Sequence, residues 1–309
     1  MMTITAAMVK ELRELTGAGV MACKNALVET DGNQEEAIEI LRKKGEATAV
    51  KKSGRIAAEG IVYTTVKEGK AAIVEVNSET DFVAKNEKFQ TFVANVADQI
   101  IASDASDMEA FMAEPWALDT SKTVKDELVS QIAVIGENMN IRRFEKLESE
   151  GVIVSYIHGG GRIGVLVEAD APKNEAVEEA LKNIAMQVAA LNAKFVSEDE
   201  IDEDYINKEK EILLAQIMND PKESQKPEKV IQGMIMGRIK KEFKEVCLLD
   251  QVYVKAADGK QSVAKYLEEV SKEVGAPVTL KKFVRFETGE GLEKKEDDFA
   301  AEVAAQAGM

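Results

Sequence analysis

Glu59-Gly60-Ile61-Val62-Tyr63-Thr64-Thr65-Val66-Lys67-Glu68-Gly69-Lys70-Ala71-Ala72-Ile73-Val74-Glu75-Val76 reads as a β-hairpin. Gly60 to Val66 alternates as a strand does, Glu68-Gly69 supplies the turn, and Ala71 to Val76 returns as a buried strand. From about Glu87 the period changes: Phe89, Phe92, Val93, Val96 and Ile100 fall on one face of a helix. The same hairpin-plus-helix unit recurs at one constant spacing. Glu59-Gly60 matches Glu150-Gly151, Gly69 matches Gly160, and Val74 and Val76 match Val165 and Val167. Val93 then pairs with Ile184 and Ile100 with Leu191, so an internal duplication is expected to organise the fold.

Between the strand and helix of the first unit lies Thr80-Asp81-Phe82-Val83-Ala84-Lys85-Asn86. A large aromatic beside a carboxylate in a polar turn has two readings. Asp81 caps the helix and Phe82 plugs the core, or the pair faces a partner. At the repeat spacing the second unit has Ala171-Pro172-Lys173 instead, an ordinary proline turn. The aromatic and the carboxylate are therefore dispensable for joining strand to helix, which favours a functional reading.

Upstream, Thr5 caps a helix carrying Met8, Val9, Leu12 and Leu15, and Thr16-Gly17-Ala18-Gly19 stops it. A second helix runs from about Val20 to Val28. Asn33 and Glu36 stand at capping-box spacing for a third, with Gly45 as its expected C-terminal cap. The basic stretch Arg42-Lys43-Lys44, Lys51-Lys52 and Arg55 reads as a solvated linker, with an acidic or nucleic-acid contact as the lesser alternative. Ser103 to Thr120 is a connector holding Trp116. A helix with Val124, Leu128, Ile132 and Ile135 follows and ends at Gly136. His158-Gly159-Gly160-Gly161-Arg162 is a hairpin tip that lacks the residues of a phosphate loop. Ser197 to Asn219 and about Glu228 to Glu245 predict two antiparallel helices forming an arm, whose spare apolar stripe would suit a homodimer contact. Val252 and Val254 have strand character, Ser262 caps a helix through Val274, and Leu280 to Phe286 is a further strand. A short apolar helix around Phe299 to Ala305 ends the chain.

Composition narrows the function. The 309 residues carry 40 Lys+Arg against 56 Asp+Glu, a formal charge of −16, which argues against a primary nucleic-acid role. Two cysteines set no disulfide framework, and one histidine excludes the commoner His-rich zinc sites. No metal cluster, dinucleotide fingerprint, nucleophile triad or cofactor motif is found, so a binding protein is expected rather than an enzyme. No apolar segment approaches membrane-spanning length and the first residues lack the apolar run of a signal peptide, so a cytoplasmic protein is expected.

Thr80-Asp81-Phe82-Val83-Ala84-Lys85-Asn86 resembles a signature of the translation elongation factor Ts family. Leu15-Thr16-Gly17-Ala18-Gly19-Val20-Met21 with Cys23-Lys24 is similar to that family's N-terminal signature. Ile135-Gly136-Glu137-Asn138, Ile141-Arg142-Arg143, His158, Arg162 to Val167 and Phe299 to Val303 fit as well. The resemblance implies an α+β chain with a ubiquitin-associated-like three-helix bundle (1–54) and a duplicated core in two subdomains (55–142; 143–196 with 246–290). It also implies an inserted coiled-coil hairpin (197–245) and a C-terminal module (291–309). It further implies a guanine-nucleotide exchange factor that binds elongation factor Tu in its GDP-bound and then nucleotide-free form, without covalent chemistry. Thr80, Asp81, Phe82 and Val83 would then disturb the partner's magnesium site. Lys24, Ile135, Gly136 and His158 would make further partner contacts. The alternative is an adaptor without exchange activity that docks through its N-terminal helices.

Overall fold

The computed structural model describes residues 2–293. The expected C-terminal helix and module lie outside them, apart from the first residues of the latter. The chain is of mixed helix and sheet, an α+β protein.

Three helices come first: α1 (Ala6–Thr16), α2 (Val20–Glu29) and α3 (Gln34–Lys52). Thr5 caps α1 by accepting from the Met8 amide, and Asn33 caps α3 while donating to the Glu36 carboxylate. Val9, Leu12, Cys23, Ala26, Leu27 and Ala37 close a small apolar core between them. Gly45 does not end α3. It is buried in mid-helix against α7 (Val124–Ile135), where an added Cβ would lie 3.5 Å from Ala133 Cβ. The site has room for a methyl group at ordinary contact distance, and the helix runs on through it to carry much of the basic stretch that reads as a linker. Several of its charges have partners while staying exposed or half-buried: Arg42 with Asp126 at 2.8 Å, Lys44 with Glu29, and Lys52 with the Gly136 carbonyl.

The first half of the core pairs β1 (Glu59–Lys67) with β2 (Lys70–Ser78) around Glu68-Gly69, both at positive φ, as a tight two-residue hairpin demands. β5 (Met139–Glu148) pairs with the other edge of β2, so Asn140-Ile141-Arg142-Arg143 is part of a strand and the 142/143 boundary falls inside it. Between β2 and β5 run α4 (Asp81–Ala84), α5 (Glu87–Ala102), α6 (Met108–Ala113), the two short strands β3 (Pro115–Trp116) and β4 (Asp119–Thr123), and α7. The connector is thus structured, with Trp116 buried against Phe92.

The second half repeats the plan. β6 (Val152–His158), β7 (Ile163–Asp170) and β8 (Thr279–Glu287) form its sheet, with α8 (Glu175–Leu191) and α11 (Val263–Val274) as its helices. The duplication reaches further than the hairpin and helix. α7 and α11 both end on a left-handed glycine, Gly136 and Gly275, and β2 and β7 both bulge after a glutamate, Glu75 and Glu168. The constant spacing does not hold, however. α5 is capped by Asn86 and α8 by Asn174, which aligns Val93 with Leu181 and Val96 with Ile184. Buried Gln99 and Gln187 then coincide. Each clamps a passing strand-like segment, Gln99 through the Pro115 carbonyl and Ala117 amide, Gln187 through the Val252 carbonyl and Val254 amide. Val252 makes only an isolated bridge to Ser262, so the expected strand there is reduced to this clamped segment.

The two sheets face each other. Val62, Ala71, Ile73 and Leu147 meet Leu166, Val284 and Phe286, while helices cover the outer faces. Gly164 sets the approach, since a Cβ there would come within 2.4 Å of Val62 Cγ1. Polar contacts also join the halves. Glu75 on β2 is fully buried and accepts from Arg143 at 2.6 Å, Arg142 at 3.0 Å, Asn77 at 3.0 Å and the Gly289 amide at 2.7 Å. Burial alone would raise its pKa, but the Gly289 amide, Asn77 and Arg143 outweigh it and hold the carboxyl below its ordinary value.

Inserted between α8 and α11, α9 (Glu203–Asn219) and α10 (Glu228–Val246) form the antiparallel arm. Ile217, Ile231, Ile235 and Ile239 build its seam. α9 starts later than its apolar pattern suggests, because Glu198–Glu200 takes a tighter helical turn and Asp202 caps the α-helix.

Candidate functional site

Thr80 caps α4, a single turn in which its hydroxyl accepts from the Val83 amide at 3.4 Å. Asp81 opens the helix and pairs with Lys85 at 2.6 Å, a bond that holds its pKa below the ordinary carboxylate value. Val83 and Ala84 are buried against the core, yet Phe82 just before them is 81 % exposed. It is no core plug. Helical geometry turns adjacent residues to different faces, so burying Val83 and Ala84 places Phe82 outward.

The second half has no counterpart of this turn. Residues 79–85 separate β2 from the Asn86 cap, whereas only residues 171–173 separate β7 from Asn174. The Ala171-Pro172-Lys173 equivalence is therefore corrected. α4 is an insertion specific to one copy, a stronger reason to regard it as more than a connection.

The end of α7 holds this insertion in place. Gly136, at φ 87, terminates the helix in the left-handed region and sends Glu137 back across the turn. One carboxylate oxygen of Glu137 accepts from the Glu79 and Thr80 amides at 3.1 and 3.0 Å, and the other from the Thr80 hydroxyl at 2.7 Å. Glu79 returns the contact by accepting from the Asn138 amide at 2.6 Å. In the sequence Glu137 and Asn138 stand within the Ile135-Gly136-Glu137-Asn138 motif with no sign of this role. Their partners lie far off in sequence, and no local spacing signals the exchange.

The expected contact residues fall into separate groups. Thr80, Asp81, Phe82 and Val83 are brought beside Ile135 and Gly136 through this exchange, with Ile135 half-buried on the core and Gly136 exposed. His158 is exposed at the end of β6, its Nδ1 3.0 Å from the Tyr156 hydroxyl. Lys24 is exposed on α2 near Val20 and Met21, both also exposed, so an apolar and basic face remains on the N-terminal helices. No hydrogen bond or ion pair joins Lys24 or His158 to the turn among the described residues. Likewise, among the described residues no cluster of His, Cys, Asp and Glu is arranged to hold a metal ion, and no helix is long and apolar enough to cross a membrane.

Two facing three-stranded sheets thus carry one capped turn with an exposed aromatic ring. Comparison with known proteins places the chain among translation elongation factors. The profile of the family described as Elongation factor TS matches residues 79–290. The chain is 55 % identical over 309 residues to Elongation factor Ts of Clostridium perfringens, covering 99 % of each chain. It is similarly 55 % identical to that of Clostridium novyi over 307 residues, 98 % of each chain, and 54 % identical to that of Clostridium kluyveri over 307 residues, again 98 % of each. The chain belongs to the elongation factor Ts family, and its role lies in protein biosynthesis.

Proposed function

We propose that this chain is a guanine-nucleotide exchange factor that binds elongation factor Tu–GDP and accelerates GDP release during translation elongation. The observation that carries the reading is Phe82, exposed on an inserted turn that the other half of the fold does without. A ring on a rigid turn gives up little conformational freedom when it enters a partner. Phe82 wedges between elements of elongation factor Tu and shifts the groups that position its magnesium ion and phosphates. Mg²⁺ demands near-octahedral geometry, so small displacements of its ligands weaken it strongly. With the ion loosened, the diphosphate is poorly compensated and GDP leaves faster. Linkage then requires that bound nucleotide weaken the factor's grip by the same coupling free energy.

Asp81, already paired with Lys85, orients the turn; it is not a chelator of the partner's ion. Lys24, Ile135, Gly136 and His158 add contacts around the central wedge. The finer organisation belongs to the same reading: a ubiquitin-associated-like bundle, a core of two subdomains divided after β5, a coiled-coil arm and a C-terminal module. The reading makes the chain a cytoplasmic factor without covalent chemistry. Exposed Ile212, Leu214, Val230 and Met236 on the arm offer a surface to a second copy, testable by sedimentation.

The test is release of fluorescent GDP from elongation factor Tu. Phe82→Ala is expected to lose most of the acceleration while remaining folded, because so exposed a ring contributes little to the core. Full acceleration by the variant, with partner binding lost on disrupting the N-terminal helices, would establish the adaptor reading instead.

A further inference from the structure

We infer that Glu137 is a positioning residue that fixes the Phe82 turn and ties its geometry to the N-terminal helices. The inference rests on the exchange reading above and assigns a role that the partner-contact residues do not cover. Three donors converge on the Glu137 carboxylate, and two of them are main-chain amides at the entry to α4. Hydrogen bonds to an ionised acceptor are stronger than neutral ones, so this carboxylate governs the path of the chain there. The third donor, the Thr80 hydroxyl, also caps α4 through the Val83 amide. Losing Glu137 therefore disturbs both the entry and the cap of the one turn that carries Phe82.

The same junction reaches back to the N-terminal helices. Lys52, at the end of α3, donates to the Gly136 carbonyl beside Glu137. Asn138 donates its side-chain amide to the Arg55 carbonyl at 2.8 Å, and Arg55 pairs with Glu79 at 3.3 Å. Glu79 and Glu137 thus form a reciprocal brace between residues 79–80 and 137–138, with the end of α3 fastened to its outer side. A partner that engages the exposed face of α2 and the Phe82 turn together meets two elements held in one register. The second half keeps the glycine that ends its helix, Gly275, but the inserted turn and its brace are absent. The brace occurs where the turn occurs.

A double-mutant cycle in the full chain tests this. Glu137→Ala is expected to lower the maximal GDP-release rate at saturating factor about tenfold, about 1.4 kcal/mol at the transition state, with a smaller change in the concentration giving half-maximal release. In the Phe82→Ala background the same change should have little further effect, because Glu137 acts through that ring. Amide hydrogen exchange at Thr80 to Lys85 in the free Glu137→Ala protein should rise, and the remaining core amides should keep their protection. Additive losses in the cycle, or unchanged exchange at the turn, would overturn the assignment. Should Phe82→Ala itself release GDP at the parent rate, it is the exchange reading that falls, and the hydrogen-exchange result still decides whether Glu137 holds the turn.

Discussion

Replacing Glu75 with glutamine should destabilise the join between the two halves and reshape the acid limb of stability. Glu75 is fully buried on β2, and its carboxylate takes Arg142 and Arg143 from β5 and the Gly289 amide beyond β8. Breaking a buried ion pair from one side costs about 3–5 kcal/mol when the remaining charge is stranded. Here the guanidinium side chains keep 22 and 30 % exposure, so water takes over part of their solvation. Glutamine also retains one acceptor for the amide. About 2–3 kcal/mol is therefore expected for Glu75→Gln near neutral pH, read from urea midpoints at constant slope. The pH dependence follows from the lowered carboxyl pKa. A group whose folded pKa lies below its unfolded one stabilises the fold above the unfolded pKa and loses that contribution as pH falls through the folded value. The gap between parent and variant should thus narrow as pH falls below the ordinary 4.5, since a protonated Glu75 resembles glutamine. An unchanged midpoint at neutral pH, or a gap constant through the acid range, would refute the reasoning.

Other substitutions probe the packing that presents the site. Gly45→Ala should leave thermal stability unchanged or raise it by up to about 1 kcal/mol, because the site is mid-helix and the added methyl meets Ala133 at ordinary contact distance; a marked drop would restore the C-cap reading. Gly164→Val should cost about 1–3 kcal/mol in a denaturant titration, since even its Cβ collides with Val62 between the sheets. Gln99→Leu and Gln187→Leu should each lose about 1–3 kcal/mol, leaving a main-chain carbonyl and amide without their clamp in either half. A large loss at one glutamine and none at the other would contradict their structural equivalence.

What the residues reveal locally, they reveal well. The positive-φ turn at Glu68-Gly69 and the side-chain caps at Thr5, Asn33 and Ser262 act over a few residues, and their signals are read without knowledge of the rest. Gly45 misleads because a glycine after a helical pattern signals an end, whereas tertiary contact with α7 makes it a packing site. The duplication is legible in its first strands, but the longer Gly159–Arg162 turn shifts the returning strands by two residues, so Val74 answers to Val167 and not to Val165, and the α4 insertion then shifts the helices again from the ungapped match. Glu75, Gln99 and Glu137 stay silent in the sequence for a shared reason. Each serves main-chain groups distant along the chain, and only the folded topology brings those groups together. For the candidate site, the sequence marks out Phe82, but not the brace that keeps it presented.

In the proposed mechanism the ring of Phe82 drives nucleotide from the partner. Stopped-flow release of fluorescent GDP from elongation factor Tu, with saturating parent or Phe82→Ala protein of matched thermal stability, measures this directly. Rapid release is expected with the parent and a rate near the unassisted one with the variant. Equal rates from the two proteins would contradict it.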